Sequence, residues 1–444
     1  MRSSYEETRK ALTREAQRVE EEVGAFVADH GKLGVVQAPP GSGKTTLLIT
    51  VADQAQRLKR RVAIATQTNA QANDICRRFA RDYPRLPVVR FASHNLPEEP
   101  FGASVRWVTE TRHLPSSASV TVAPAAKWGT VALSSPFDVL FIDEAWQLAW
   151  ANFMLLGQVA ERFLLVGDPG QIPPVVSIDA ARWETSPRAP HIAAPAIILG
   201  DPKLNAEQWS LPATRRLPHD TVPLVRPFYD FSFEATTGPG EQILICGNSG
   251  SSAEDRAVNL LREGSAAGLT IPTPDDGPPL DGDRALADLG VRFIKRLLGR
   301  DARIRLHGRE RALEPADIGL CATHRVMNSA LALALPSKWR RAIMVDTAER
   351  WQGLERPVML VVHPLSGITR PSSFDLQTGR LCVMASRHQT SMIVLSRDHV
   401  HDTLDACIPT ADQPLGRSDV TGHGLFSHLA FWEALRGQGR IVTA

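Results

Sequence analysis

The fold of this 444-residue chain is decided by one stretch, Ala38-Pro39-Pro40-Gly41-Ser42-Gly43-Lys44-Thr45-Thr46. It follows a short β-branched run at residues 34–36, typical of a strand, and precedes a helical pattern over residues 44–58. Small residues at Gly41 and Gly43 allow backbone N–H groups to wrap phosphates, and the following helix N-terminus adds favourable partial charge. The stretch therefore predicts a phosphate-binding loop, although Ala38 replaces the usual first glycine.

The residue types in this loop are those that a nucleotide triphosphate requires. Lys44 is predicted to reach the β and γ phosphates, and the Thr45 hydroxyl is predicted to hold Mg²⁺. The alternative, a chance glycine-rich turn, is disfavoured by the strand before it and the helix after it. We therefore predict ATP as substrate, with Mg²⁺ as its cofactor, bound by Pro40, Gly41, Ser42, Gly43, Lys44, Thr45 and Thr46.

A pair of carboxylates ends a later apolar run, Val139 to Ile142. Acidic residues at the carboxyl end of a buried strand lie where α/β sheets bind ligands. Asp143 is predicted to order Mg²⁺ through water, and Glu144 to position or deprotonate the water that attacks the γ-phosphate. Alone, the pair is better explained as a solvated acidic loop. Its presence downstream of a phosphate loop favours the catalytic interpretation.

Short β-branched runs alternate with helical stretches along the chain, which predicts α/β domains with parallel sheets. The predicted strands are residues 34–36, 62–65, 139–142, 163–166, 243–246, 318–321, 343–345 and 392–395. The predicted helices are residues 44–58 and 69–79. Residues 264–283, dense in Gly, Pro and Asp, are predicted to form an exposed loop.

Two α/β domains and a tail are predicted. The first covers residues 1–199, with an N-terminal helix and a possible small insertion near 95–123, and the second covers residues 200–405. Residues 406–444 are predicted to form a C-terminal tail with a short helix.

Composition narrows the class of protein. The charged first thirty residues and the brevity of the longest apolar runs, such as residues 358–362, predict no membrane span and a cytoplasmic location. The five cysteines are scattered and form no Cys-x-x-Cys pair, which indicates neither a disulfide framework nor a zinc cluster. A net charge of +2 permits a polyanionic partner without requiring one.

Two adjoining motifs resemble motifs II and III of superfamily 1 helicases, namely Asp143-Glu144-Ala145-Trp146-Gln147 and Gly167-Asp168-Pro169-Gly170-Gln171-Ile172-Pro173-Pro174. Within that superfamily the chain most resembles the 1B branch that contains the nonsense-mediated-decay RNA helicase. The resemblance implies two tandem RecA-like P-loop NTPase domains with the ATP site in the cleft between them. It also implies that Gln171 senses the γ-phosphate and couples it to the bound strand.

A motif after the second strand, Thr66-Gln67-Thr68-Asn69, resembles motif Ia, with Gln67 in place of the usual proline. The resemblance implies that Thr68 and Asn69 contact a nucleic-acid backbone. A helix N-cap is an equally good explanation of these two residues.

Two arginine-bearing motifs complete the implied ATPase. Residues 211–218 resemble motif IV, which implies that Arg216 projects toward the γ-phosphate; Arg215 leaves this choice open by one position, and a solvated face is the alternative. Residues 380–387 resemble motif VI, which implies that Arg387 is a second arginine finger; a charge on a helix face is the alternative.

A further motif, residues 347–355, resembles motif V at nearly every fixed place. The resemblance implies that Thr347 contacts the strand and that Gln352, Gly353 and Glu355 lie at the ATP site. Trp351 is interpreted as core packing in preference to a base-stacking platform.

Adenine recognition is the least marked feature of the sequence. Gln17, about twenty residues before the phosphate loop, is the candidate for the family's adenine-contacting glutamine, and a polar residue on a helix surface is the alternative.

Together these motifs predict an ATP-dependent helicase or translocase that moves 5′ to 3′ on single-stranded DNA or RNA. The alternative is a nucleotide-gated ATPase switch that works with protein partners in a larger nucleic-acid or defence system and does not unwind duplexes itself.

Overall fold

The described part of the chain in this computed structural model consists of residues 2–29, 31–175, 181–183, 186–247, 250–279, 282–408 and 420–444. It divides into two compact units. The N-terminal unit comprises Ala11–Pro169 and Pro173–Ala213, and the C-terminal unit comprises Met1–Lys10, Gly170–Ile172 and Thr214–Ala444.

The N-terminal unit is built on an eight-stranded sheet in the order β4-β3-β5-β2-β6-β7-β1-β8, in which all pairs are parallel. Its strands are β1 (Leu33–Gln37), β2 (Val62–Thr66), β3 (Val88–Phe91), β4 (Val105–Val108), β5 (Val120–Pro124), β6 (Val139–Ile142), β7 (Phe163–Gly167) and β8 (Glu207–Ser210). Its helices are α1 (Arg2–Ala28, from Ala11 onward), α2 (Lys44–Arg57), α3 (Asn69–Asp82), α4 (Ala125–Trp128), α5 (Trp150–Leu155) and α6 (Ala194–Gly200).

Helices cover both faces of this sheet, which explains why its central strands β2, β6 and β7 are largely apolar. In β1, Val35 and Val36 are both fully buried but join different core clusters, because successive side chains of a strand point to opposite faces. Leu48 of α2 and Phe79 of α3 pack in the cluster of Val36, and Trp128 of α4 packs in that of Val35.

The C-terminal unit contains a six-stranded parallel sheet, a three-stranded antiparallel sheet and a two-stranded sheet, in the orders β16-β15-β17-β18-β12-β19, β11-β13-β14 and β10-β9. Its strands are β9 (Ala213–Thr214), β10 (Glu234–Ala235), β11 (Ile243–Ile245), β12 (Ala266–Ile271), β13 (Arg303–Leu306), β14 (Arg309–Ala312), β15 (Ile318–Cys321), β16 (Met344–Asp346), β17 (Arg356–Val362), β18 (His388–Arg397) and β19 (Ile441–Thr443). Its helices are α7 (Val222–Val225), α8 (Ala253–Glu263), α9 (Arg284–Leu298), α10 (Arg325–Ala334), α11 (Ala348–Trp351), α12 (Thr378–Ala385), α13 (Val400–Ala406) and α14 (Val420–Gly437).

The predicted α/β class, with two domains built on parallel sheets, is confirmed. The predicted exposed loop over residues 264–283 is wrong in its first part, because Ala266–Ile271 is a fully buried strand between β18 and β19. A short apolar run buried on both faces carries no alternation, and Gly268 leaves room for the Ile441 side chain, 3.2 Å from where a Cβ would lie. The Gly- and Pro-rich composition that suggested a loop belongs to the residues after Ile271.

The strand predicted at residues 243–246 also differs in its setting. β11 pairs antiparallel with β13 in the small three-stranded sheet and is not a member of the parallel sheet.

Within the segment near 95–123, β4 lies at the edge of the N-terminal sheet and β5 lies inside it. The N-terminal unit runs beyond the predicted boundary at residue 199, since β8 pairs with β1.

The C-terminal segment packs into its unit, in contrast to the predicted tail. Phe431 and Trp432 of α14 are buried in the core, and β19 pairs with β12. Residues 409–419 of the predicted tail lie outside the described residues.

None of the helices in the described ranges combines the length and the apolar character needed to cross a lipid bilayer.

Candidate nucleotide site

The glycines of the phosphate loop have the backbone that wrapping a phosphate requires. Gly41 has φ 71° and Gly43 has φ 92°, in the left-handed region that side chains disfavour, and Gly43 caps the N-terminus of α2. Ala38 is fully buried at the end of β1, where its N–H donates to Gly167 O at 2.9 Å. A methyl group is accommodated there, so the missing first glycine does not disturb the loop.

Two loop side chains are oriented for a charged ligand. Among the described residues, the buried Ser42 hydroxyl has no hydrogen-bond partner. Lys44 Nζ lies 3.4 Å from Glu144 Oε1, and the two side chains are only 11% and 15% exposed. The structure thus brings together the phosphate-loop lysine and the candidate catalytic glutamate.

Asp143 lies at the carboxyl end of β6 and is almost completely buried. Burial, reinforced by the Glu144 carboxylate and opposed by the Lys44 ammonium, raises the pKa of Asp143 to about 7. Its Oδ1 accepts from the Glu144 N–H at 3.0 Å. A carboxylate whose charge is this costly to bury is stabilised when a cation binds beside it.

The backbone of the carboxylate pair is held by a residue whose importance the sequence analysis missed. Gln67 Nε2 donates to Asp143 O at 3.3 Å and to Glu144 O at 3.4 Å, and Glu144 itself has φ 51°. The amide therefore supports an uncommon backbone conformation at the site. The available signal was the glutamine that replaces the usual motif Ia proline.

The residues present fit a magnesium nucleotide. The Thr45 hydroxyl and the Asp143 carboxylate are oxygen donors of the kind that Mg²⁺ prefers. The positive-φ glycines fit a phosphate chain, as does the Ser42 hydroxyl, which has no hydrogen-bond partner in the described part of the chain.

Thr68 is the N-cap of α3, so the capping interpretation of this residue is confirmed. Its hydroxyl accepts from the Gln71 N–H at 3.2 Å, and Gln71 Oε1 accepts from the Thr68 N–H at 3.0 Å, which completes a capping box. Asn69 is exposed beside it, at the first position of the helix. Contact of either residue with nucleic acid stays a prediction.

In the C-terminal unit, the structure brings together Arg216 and Glu355. They form an ion pair, and Gln389 Nε2 donates to the other oxygen of the same carboxylate at 2.7 Å. Arg215 is exposed at the surface. Of the two adjacent arginines, Arg216 is therefore the one connected to another candidate residue.

Arg387 lies in a different environment from Arg216. Its side chain is 1% exposed and donates to Val383 O at 3.1 Å and to Ser386 Oγ at 3.2 Å. It is therefore a buried group at the end of α12, in contrast to the exposed helix-face alternative.

Gln171 is buried and belongs to the C-terminal unit together with its neighbours. A Cβ at Gly379 would lie 2.7 Å from Gln171 O, so α12 packs closely against this segment. Gln352 Nε2 lies 3.5 Å from Ile172 O, at the limit of a hydrogen bond.

The remaining motif V residues are mostly enclosed. Thr347 is 9% exposed, and Gly353 has φ 78°. Trp351 is fully buried, with its indole N–H donating to Leu320 O at 3.0 Å, so its interpretation as core packing is confirmed.

Gln17 is exposed on α1 and donates to Glu21 Oε1 at 3.1 Å. Its role toward adenine stays a prediction.

With this geometry established, comparisons with known proteins become informative. Residues 15–184 match the family model described as an AAA domain. The matched residues include the phosphate loop and the Asp143-Glu144 pair. The match covers less than half of the chain and ends before Thr214–Ala444, the main part of the C-terminal unit, and none of the curated proteins matches.

Solved structures with similarity to the chain include helicases of arteriviruses. Arterivirus nonstructural protein 10 (helicase) is 13% identical with a TM-score of 0.43, over 82% of this chain and 59% of that one. Its complex with DNA is 14% identical with a TM-score of 0.42, over 82% of this chain and 61% of that one. PRRSV helicase is 15% identical with a TM-score of 0.40, over 82% of this chain and 52% of that one. The chain thus spans less than two thirds of the length of these proteins.

Proposed function

We propose that this protein is an ATP-dependent helicase or translocase that acts on single-stranded nucleic acid, DNA or RNA. The observation that carries the proposal is the constellation of Lys44, Glu144 and the buried Asp143 beside a loop with two positive-φ glycines. It combines a phosphate-binding cation, a base and a metal-ligating carboxylate in the P-loop domain.

In the proposed reaction ATP is hydrolysed to ADP and phosphate. Lys44 binds the β and γ phosphates, and Glu144 accepts the proton of the attacking water. Bound Mg²⁺, held by Thr45 and Asp143, would neutralise charge on the phosphates. The ion pair with Lys44 holds Glu144 near the reacting phosphate before the nucleotide binds.

Three further residues are proposed to act on the γ-phosphate. Arg216 and Arg387 supply positive charge as phosphate separates, and Gln171 reports the presence of the γ-phosphate. Arg216 must leave Glu355, and Arg387 must leave Val383 O and Ser386 Oγ, to reach a phosphate. Their action therefore requires a rearrangement, which gives the reaction a mechanical step.

The nucleic-acid strand is proposed to contact Thr68, Asn69 and Thr347, and the protein is proposed to move along it in the 5′ to 3′ direction. Support comes from the resemblance of their motifs to those of superfamily 1 helicases and from the exposure of Thr68 and Asn69. One of the solved structures with similarity to the chain is an arterivirus helicase in complex with DNA.

The test is an ATPase titration of the full chain with single-stranded and duplex DNA and RNA at two salt concentrations, because phosphate contacts are salt-dependent. We expect single strands to stimulate hydrolysis several-fold. An ATPase rate indifferent to every polymer would refute a strand-dependent motor. A strand-displacement assay on the same preparation separates a helicase from a nucleotide-gated switch, since a switch would hydrolyse ATP without unwinding.

A further inference from the structure

Arg90 of β3 is an unusual member of the core of the N-terminal unit. Its side chain is completely buried, and within the described residues it forms no ion pair with a carboxylate. Burial lowers the pKa of its guanidinium, which reflects the cost of holding a cation away from water. A buried arginine without a direct counter-ion is expensive, and an apolar residue would fill the same space at lower cost.

The guanidinium is instead bound by neutral oxygens. Nε donates to Asn73 Oδ1 at 2.6 Å, Nη1 donates to Phe91 O at 2.8 Å, and Nη2 donates to Asn69 Oδ1 at 2.7 Å. The Trp107 ring centroid lies 5.5 Å from the guanidinium carbon. Three acceptors in fixed directions match the planar fork of arginine, and the single ammonium of lysine does not reproduce that arrangement.

The carboxylate of Glu99 is connected to Arg90 only through the side chain of Asn73. Asn73 Nδ2 donates to Glu99 Oε1 at 2.5 Å, and Arg77 Nη2 binds Glu99 Oε2 at 2.7 Å. Because Glu99 is shared with Arg77, the positive charge of Arg90 is only partly compensated. The amino-terminal end of α3, which already has a partial positive charge, therefore has additional positive potential beneath it.

The effect on Asn69 is directional. Its side-chain oxygen is engaged by Arg90, so its Nδ2 group is the part left to donate outward from an exposed position. Thr68 is already used as the helix cap and orients the same turn. A phosphate oxygen of a nucleic-acid backbone is an acceptor for which such a donor is suited.

We propose that Arg90 is a positioning residue for strand binding, which fixes the Asn69 amide with its N–H₂ group outward and places a partly compensated positive charge beneath it. This inference rests on the proposed function, because it assumes that a single strand binds at Asn69. The proposed partner is a polyanionic sugar-phosphate backbone. We expect no base specificity, since the amide donor and the buried charge would interact with phosphate groups and not with bases.

A double-mutant cycle tests the inference. The affinity of a fluorescein-labelled dT₂₀ strand is measured by anisotropy at low salt for the wild-type chain, Arg90→Lys, Asn69→Ala and the double variant. We expect each single variant to bind about 5-fold more weakly and the double variant to bind no more weakly than either, because both remove one interaction. Additive losses of about 25-fold, or unchanged affinity in Arg90→Lys, would overturn the proposal.

Arg162→Lys is the matched control. Arg162 is also a buried arginine of the N-terminal unit that donates to backbone carbonyls, Asp138 O and Val27 O, and it does not contact Asn69. We expect this variant to lose thermal stability as Arg90→Lys does but to keep the strand affinity of the wild type. An equal loss of affinity in Arg162→Lys would show that the effect at Arg90 is general destabilisation.

Asn69→Asp keeps the experiment decisive if Arg90→Lys fails to fold. It retains an oxygen acceptor for Arg90, replaces the outward N–H₂ group with a second oxygen and adds a negative charge, so we expect an unchanged or higher Tm with strand affinity reduced at least 5-fold. Unchanged affinity would contradict the proposal. Failure of the wild-type chain to bind any strand would instead refute the proposed function, so the two failures are distinguishable.

Discussion

The two units satisfy their charged groups in opposite ways. In the N-terminal unit, Lys44 and Glu144 meet at the end of a parallel sheet beside Asp143, whose pKa burial raises to about 7. In the C-terminal unit, Arg216 is paired with Glu355, and Arg387 is buried against carbonyl and hydroxyl oxygens. In the N-terminal unit, burial disfavours the charge of Asp143. In the C-terminal unit, each of the two arginines already has oxygen partners.

This difference indicates a division of labour. A buried carboxylate with a raised pKa is stabilised by an arriving cation, so the N-terminal site is poised for ligand. The arginines of the C-terminal unit must exchange existing partners before they can bind phosphate. In the proposed reaction, the first unit would carry binding and the chemical step, and the second would carry the step that depends on conformational change.

The largest effect is expected at the N-terminal site. Lys44→Ala and Glu144→Gln should each reduce the ATPase rate at least about 100-fold, because they remove phosphate binding and the base. Steady-state phosphate release measures the rate. Lys32→Ala, at an exposed lysine of the same unit, is the control and should keep wild-type activity. Substantial hydrolysis by both site variants would place the chemistry elsewhere.

The next largest effect should distinguish the two arginines. Arg216→Ala is expected to lower the strand-stimulated kcat about 100-fold with a smaller loss of Tm than Arg387→Ala, because the Arg216 side chain is 15% exposed and that of its partner Glu355 is 40% exposed. Arg387→Ala should lower both kcat and Tm, since it leaves a cavity and unpaired oxygens in the core. Arg215→Ala, at the exposed neighbour, is the matched control. A larger loss in Arg215→Ala than in Arg216→Ala would reverse the assignment.

A smaller effect concerns acid stability of the C-terminal unit. Burial lowers the pKa of His388 and of His428 to about 4, and burial also holds the pKa of His363 well below 6.5. The unfolded chain therefore binds more protons than the folded one below about pH 6.5, and stability falls as the pH falls from 6.5 toward 4. Below pH 4, the protonation of His388 and that of His428 should each lower the free energy of unfolding by about 3 kcal/mol.

Urea unfolding at pH 7, 5.5 and 4.5 measures this dependence. His428→Leu should flatten the pH profile, and His94→Gln, at an exposed histidine of the N-terminal unit, should leave it as in the wild type. A profile of His428→Leu as steep as that of the wild type would show that this ring does not govern acid unfolding.

The smallest effect is expected at the start of α3. Thr68→Ala removes the cap and should destabilise the protein by about 1 kcal/mol, whereas Thr68→Ser keeps the hydroxyl and most of the stability. Thermal unfolding measures the difference. Equal stability of the two variants would mean that the capping box contributes nothing measurable.

The sequence alone was sufficient for the class of fold because its signals are local. A glycine-rich loop between a strand and a helix, and apolar runs ending in acidic residues, depend on neighbours within a few positions. Strand Ala266–Ile271 escaped because Ala and Gly have little β-propensity, and only burial between two other strands makes them a strand. The sequence also could not assign β11 to an antiparallel sheet, because its partner β13 lies about sixty residues away in the chain.

The candidate site divides in the same way. The sequence by itself predicted that Lys44, Thr45, Asp143 and Glu144 belong to one nucleotide site, since their types and order carry that information, and the structure brings Lys44 against Glu144. The predicted position of ATP in a cleft between the two domains stays a prediction.

Only the tertiary structure decided that Gln67 supports the carboxylates, that Arg387 is enclosed, and that Arg90 engages Asn69. The physical reason is that burial and hydrogen-bond partners come from segments far apart in the chain. A residue's type limits what it can do, but its neighbours in space determine which of these things it does.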